Sequence, residues 1–211
     1  MLIQFEHVNL GLENGKFLPR QLAPGELADV LTRWQDTLGV RGWNALYLEN
    51  HDQPRSVSRF GDPSHYLYES ATALATAYFL QRCTPFIYQG QEIGMLGGDF
   101  KTAADFRDVE YVSYMERLGA DEVPEGLAAM SRDNGRTPMQ LYSSPAAGFS
   151  ETVPWIDVPT SAEQIYVAAQ ADDPQSILTY YRALISARHV IPALTDGTFT
   201  LIDASVPALF V

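Results

Sequence analysis

Trp43-Asn44-Ala45-Leu46-Tyr47-Leu48-Glu49-Asn50-His51-Asp52-Gln53-Pro54-Arg55 sets a mostly apolar run of strand length directly against a dense polar segment. The run 43–48 has the character of a strand buried on both faces, as in a parallel sheet. Six of the next seven residues carry hydrogen-bonding or ionisable side chains. The ends of parallel strands are where α/β active sites lie.

Upstream, Leu2-Ile3-Gln4-Phe5-Glu6-His7 reads as a short strand, followed by a polar loop with Gly11, Gly15 and Pro19. Pro24 opens a helix at its favoured first-turn position. Leu27, Val30, Leu31, Trp34 and Leu38 recur at helical spacing, and Gly39 fits a C-terminal stop. Downstream, residues 49–64 read as a loop and 66–82 as a helix with Leu74 and Tyr78 in its buried stripe. Pro85-Phe86-Ile87-Tyr88 reads as a third buried strand, ending in Gln89-Gly90. Alternation of strand and helix, with about forty residues between strand starts, signals βαβ units and a parallel sheet.

Residues 102–130 read as helical, more weakly. Residues 131–162 have almost no periodicity, and so long an irregular stretch inside a domain is usually functional or disordered. Asp173-Pro174 caps a last helix over 175–188, with Ile177, Tyr181, Leu184 and Ile185 on one side. The tail changes character: Thr198-Phe199-Thr200-Leu201-Ile202 alternates and 207–211 runs apolar, the pattern of a β-hairpin interrupted in its second strand. A barrel needs eight strands and three make a poor domain, so the sequence reads as a piece of a larger α/β protein.

Composition narrows the chemistry. The chain has 211 residues, is 46% hydrophobic and carries a net charge of −12. That is too apolar for a disordered tail, and it argues against nucleic-acid or anionic-membrane partners, which need clustered Lys and Arg. A single cysteine, Cys83, excludes an internal disulfide and a Cys-rich zinc site. His7, His65 and His189 share no metal-ligand spacing and read as structural, and the sequence has no Gly-rich phosphate loop. The apolar stretch 71–80 is about half of a ~20-residue membrane span. Nothing after Met1 resembles a signal peptide, and the expected location is cytoplasmic.

A cluster of carboxylates, His and Arg without a nucleophilic Ser motif suits glycoside chemistry, where carboxylates handle protons and an oxocarbenium-like transition state. Asp52 could stabilise positive charge and His51 could donate to substrate hydroxyls. Blander readings compete. Asp52 with Arg55 could be a turn ion pair, Glu92 could bond backbone amides, and Arg132, Asp133 and Arg136 could form a solvated charge cluster.

Three motifs in order carry a resemblance: residues 50–55 (Asn-His-Asp-Gln-Pro-Arg), residues 84–95 from Thr84 through Gln89-Gly90-Gln91-Glu92 to Met95, and residues 131–140 (Ser-Arg-Asp-Asn-Gly-Arg-Thr-Pro-Met-Gln). Together with Phe5-Glu6-His7 they closely resemble the oligo-1,6-glucosidase/α-glucosidase branch of glycoside hydrolase family 13, the α-amylase family. The resemblance runs essentially end to end. It implies a partial (β/α)8 TIM barrel, strands six to eight with their helices over residues 1–194, and the first strands of a C-terminal β-sandwich over 195–211.

The family mechanism is retaining. It uses a nucleophilic Asp, an acid/base Glu and a third Asp that stabilises the transition state. On this template Asp52 matches the third Asp, His51 a His that contacts substrate hydroxyls, and Arg132 an Arg near the non-reducing-end glucose subsite. The nucleophile and acid/base positions precede residue 1, in a missing N-terminal half-barrel. The calcium site of some relatives lies in that part too, so the resemblance implies no metal here, and no cofactor is expected. The implied substrate is an α-glucoside oligosaccharide or disaccharide. Leu141 stands where the branch usually has Trp, an altered aromatic contact. Gly135 stands where Ala is common, a change expected to loosen the loop. Alternatives are a sucrose- or trehalose-metabolising relative (an isomerase or a phospho-disaccharide hydrolase) and a non-catalytic family member.

Overall fold

The computed structural model describes residues 1–13, 15–23, 25–39, 41–119 and 123–202. Its centre is strand β2 (Asn44–Leu46), every residue of which is buried. Strand β1 (Leu2–Ile3) pairs with it in parallel, Leu2 opposite Asn44, and β3 (Cys83–Pro85) pairs on the other side, Asn44 opposite Cys83. The Phe86 amide donates to the Leu46 carbonyl at 2.7 Å and continues the ladder past Pro85. A three-stranded parallel sheet in the order β1-β2-β3 is therefore present. The third strand lies two residues earlier than the apolar run suggests, and the first stops at Ile3 before a 3-10 turn over Glu6–Asn9.

Helix α1 (Glu26–Leu38) crosses between β1 and β2. Its stripe buries Val30 and Leu31, and Gly39, at φ 46°, ends it where a side chain would be strained. The expected opening residue, Pro24, lies outside the described residues. The segment read as a loop over 49–64 contains a five-residue helix, α2 (Ser56–Phe60). Helix α3 (Leu67–Phe79) then leads into β3.

The weakly periodic region resolves into α4 (Val109–Leu118) and α5 (Glu125–Met130). Residues 131–162 form 3-10 turns at Arg132–Gly135, Pro145–Gly148 and Thr160–Glu163 joined by irregular chain. A short helix α6 (Val167–Gln170) precedes α7 (Ile177–Val190), and α8 (Ala193–Asp196) follows. The cap of α7 is Ser176, whose hydroxyl accepts from the Thr179 amide at 3.1 Å, rather than Asp173-Pro174. No strand forms over 198–202, so the expected first arm of a hairpin is not seen there. The apolar run 207–211 lies outside the described residues.

The core joins α1, β2, α3 and α7. Leu46 and Leu48 meet Leu31, Ala75, Tyr78, Phe79, Ile177, Tyr181 and Leu184. Tyr47, on the opposite face of the strand, packs edge-on against Phe5 and His7 at 5.7 and 4.7 Å between ring centres. The Arg188 guanidinium of α7 donates to the carbonyls of Phe79, Gln81 and Cys83, so the last long helix clamps the α3–β3 turn. Among the described residues, no helix is long and apolar enough to cross a membrane.

Candidate functional site

Beyond β2 the chain stays buried through Glu49, then turns outward. The Asn50 side-chain oxygen accepts from the Asp52 amide at 2.8 Å, a local turn that raises His51 and Asp52 to the tip. The base of the loop is closed by Glu49, whose carboxylate accepts from the Ser56 amide at 2.8 Å. Burial pushes the Glu49 carboxyl up to about 7, with Arg55 and the Ser56 amide pulling the other way.

Arg55 is not the partner of Asp52. It is fully buried, donates to the Gln89 carbonyl at 2.7 Å and lies over the Tyr88 ring at 5.3 Å. It ties the loop after β2 to the loop after β3. Glu92 behaves as the bland reading had it, accepting from the Gly90 amide at 2.8 Å.

The irregular segment then folds onto this loop. The Tyr88 hydroxyl donates to the Gly135 carbonyl at 2.8 Å. A Cβ at Gly135 would stand 2.7 Å from both the Asn50 and Gln53 carbonyl oxygens. Gly135 is thus a point of close approach between two backbones, not a loosened loop.

This contact delivers two arginines to the tip. Arg136 Nη2 is 2.9 Å from Asp52 Oδ1, Arg132 Nη1 is 3.6 Å from the same oxygen, and His51 Nε2 is 3.2 Å from Asp52 Oδ2. The three residues singled out in the sequence, Asp52, His51 and Arg132, are therefore neighbours. The turn ion pair of Asp52 forms across 84 residues with Arg136, not locally.

Nor is the charge cluster a solvated one. Asp133 is fully buried and accepts from the amides of Arg107 and Asp108 at 2.7 and 2.9 Å. Asp108, with a side chain only 4% exposed, was not singled out by its sequence context. Its carboxylate accepts from Arg132 Nη2 and Arg136 Nη1, each at 2.8 Å, and caps the Glu110 amide at the start of α4. Burial opposes its ionisation, yet the two arginines hold its carboxyl below the usual carboxylate range. Arg132 in turn is held above its ordinary value, first by its hydrogen bond to Asp108. The chain of charges continues through Glu110, 3.5 Å from Arg132, to Lys16 at 2.7 Å.

A cavity of about 380 Å³ opens beside Asp52, with Gln53, Pro54, Val8, Glu13 and Lys16 also in its lining. The arrangement presents one half-exposed carboxylate, a histidine beside it and two arginines behind it. Asp108 and Asp133 are committed to arginines and backbone amides. Such a site can stabilise developing positive charge and bind hydroxyls. A reaction that needs a nucleophilic carboxylate and a separate acid/base calls for more than Asp52.

Residues 1–197 match the catalytic-domain model of the α-amylase family. The chain belongs to the α-amylase family. Within it, the chain is 43% identical to the oligo-1,6-glucosidase of Parageobacillus thermoglucosidasius, an alignment covering all of this chain and 39% of that protein. Among solved structures it superposes on the isomaltulose synthase of Erwinia rhapontici NX5 with a TM-score of 0.89 and 37% identity, over 99% of this chain and 39% of that one. The trehalose-6-phosphate hydrolase of Bacillus licheniformis gives the same score and identity over 95% of this chain and 37% of its own. The chain thus spans about two fifths of the length of these α-amylase-family relatives.

Proposed function

We propose that these residues are the C-terminal part of the catalytic barrel of a retaining α-glucosidase that hydrolyses terminal α-1,4 or α-1,6 bonds of short oligosaccharides. In this reading β1, β2 and β3 are barrel strands six to eight, residues 1–194 are the barrel part and 195–211 begin a C-terminal β domain. Asp52 stabilises the oxocarbenium-like transition state, while His51 and Arg132 bind the hydroxyls of the terminal glucose. The nucleophile and the acid/base belong to a preceding half-barrel, and the 211-residue chain alone is inactive.

The observation that carries the reading is the Asp52 carboxylate at the end of a buried parallel strand. It is flanked by His51 at 3.2 Å and by two arginines, in a chain 43% identical to an oligo-1,6-glucosidase. A second reading, rearrangement of sucrose or hydrolysis of a phosphorylated disaccharide, is favoured by the TM-scores of 0.89 to enzymes so named.

The test uses the full-length protein with isomaltose, maltose, sucrose and trehalose 6-phosphate, alongside the 211-residue chain. Isomaltose or maltose should be hydrolysed by the full-length protein only, and Asp52→Asn should lose most of kcat with a smaller change in KM. Preference for sucrose or the phosphorylated sugar would select the second reading. Turnover by the short chain that disappears in Asp52→Asn would overturn the incomplete-site reading, and an unchanged kcat in that variant would make Asp52 a turn residue only.

A further inference from the structure

We propose that Arg136 is the positioning residue of Asp52: it fixes which carboxylate oxygen faces the open side of the site. The inference rests on the reading of Asp52 as the transition-state carboxylate. Arg136 is held in several directions at once. Nε donates to the His51 carbonyl at 2.8 Å and Nη2 to Asp52 Oδ1 at 2.9 Å. One edge of the guanidinium therefore grips the main chain of one residue and the side chain of the next. Nη1 donates to Asp108 Oδ2 at 2.8 Å and lies 3.6 Å from Asp133 Oδ1. Both of these anchors are buried, so the fork is fixed to the interior and Asp52 is fixed to the fork.

Asp52 needs such a brace. Its side chain is 43% exposed and that of His51 is 68% exposed. Arg132 does not substitute, because its Nη2 is held by Asp108 and its Nη1 reaches Asp52 only at 3.6 Å. With Oδ1 committed to Arg136, Oδ2 is the oxygen left on the His51 side. Gly135 sets the distance: its missing Cβ lets the segment before Arg136 rest on the Asn50 and Gln53 carbonyls. A lysine at 136 would keep the charge but, as a single ammonium on a flexible stem, not the planar fork.

The experiment measures kcat and KM of the full-length enzyme with p-nitrophenyl α-glucoside for the wild type, Arg136→Lys, Arg136→Met, Asp52→Asn and each Arg136 variant combined with Asp52→Asn. Misplacing a reacting group by about an ångström costs about 100-fold, so Arg136→Met should lose about that factor in kcat with KM changed less than about threefold, and Arg136→Lys should fall between. In the Asp52→Asn background either Arg136 change should cost less than about threefold more, because the group it positions is already gone. Additive losses would overturn the inference and leave Arg136 a purely structural ion pair, and so would a wild-type kcat in Arg136→Met. If Arg136→Met does not fold, as a thermal melt would reveal, Arg136→Lys and its double variant carry the same comparison. An Asp52→Asn enzyme with full kcat would instead overturn the reading of Asp52, and with it the need for a brace.

Discussion

Glu49 is the buried acid at the root of the site loop, with 3% of its surface exposed and one carboxylate oxygen on the Ser56 amide. Burial raises its folded pKa from 4.5 to about 7. Its proton is therefore held more tightly in the folded chain than in the unfolded one. That contribution to stability is complete below about 4.5 and is lost as pH rises toward 7. Glu49→Gln keeps an oxygen for the Ser56 amide and removes the titration. The variant should match the wild type near pH 4 and exceed it near pH 8, by up to about 3 kcal/mol. Thermal melts of the two proteins at these pH values check it; an equal difference at both would show that Glu49 does not titrate in this range. His7, held down at about 4 by burial, loses stability in the opposite sense as pH falls from 6.5. It is present in both proteins and drops out of the comparison.

At the scale of elements, the sheet is the exposed part of the design. β1 and β3 are the outer strands of the three. Leu2, Ile3, Phe5, Phe86 and Ile87 are between 37% and 57% exposed. Around Ile3, Phe5, Tyr47 and Phe86 an apolar hollow of about 240 Å³ opens. Unpaired edges template association and apolar patches seek cover, so the 211-residue chain should self-associate despite its charge of −12. Light scattering behind a sizing column should give a mass above 23.4 kDa that rises with concentration. A monodisperse monomer with a sharp melt and no dye binding would count against it. The same strands show what sequence reading reaches. Their existence followed from apolar runs, but their ends are set by the ladder: Cys83 joins because it faces Asn44, and Pro85 joins through its position opposite Leu46. Helix α2 was hidden because Pro54 and Arg55 read as loop, and the feature that starts it, the Glu49 bond to the Ser56 amide, is a contact made only by the folded loop.

For the molecule as a whole, the candidate site is legible where it is written in contiguous motifs and hidden where distant segments meet. Asp52, His51 and Arg132 stood in two motifs of the sequence. Asp108 stood in a weakly periodic stretch with nothing to mark it, and only the packing of α4 against the Arg132–Gly135 turn brings it beneath both arginines. Similar remoteness governs the core. Tyr78 and Phe79 of α3 are covered by Tyr181 and its neighbours on α7, and Arg188 clasps the carbonyls at the end of α3. On the ribosome this core therefore waits for its lid. At about 5–20 residues per second, the roughly one hundred residues between the two helices take several seconds or more to emerge. Through that interval the helix bearing Tyr78 should remain open to chaperones and proteases. Nascent chains stalled before residue 177 should be cut within α3, and chains stalled well beyond residue 190 should resist; equal resistance in both would mean that α3 finds its cover earlier in synthesis.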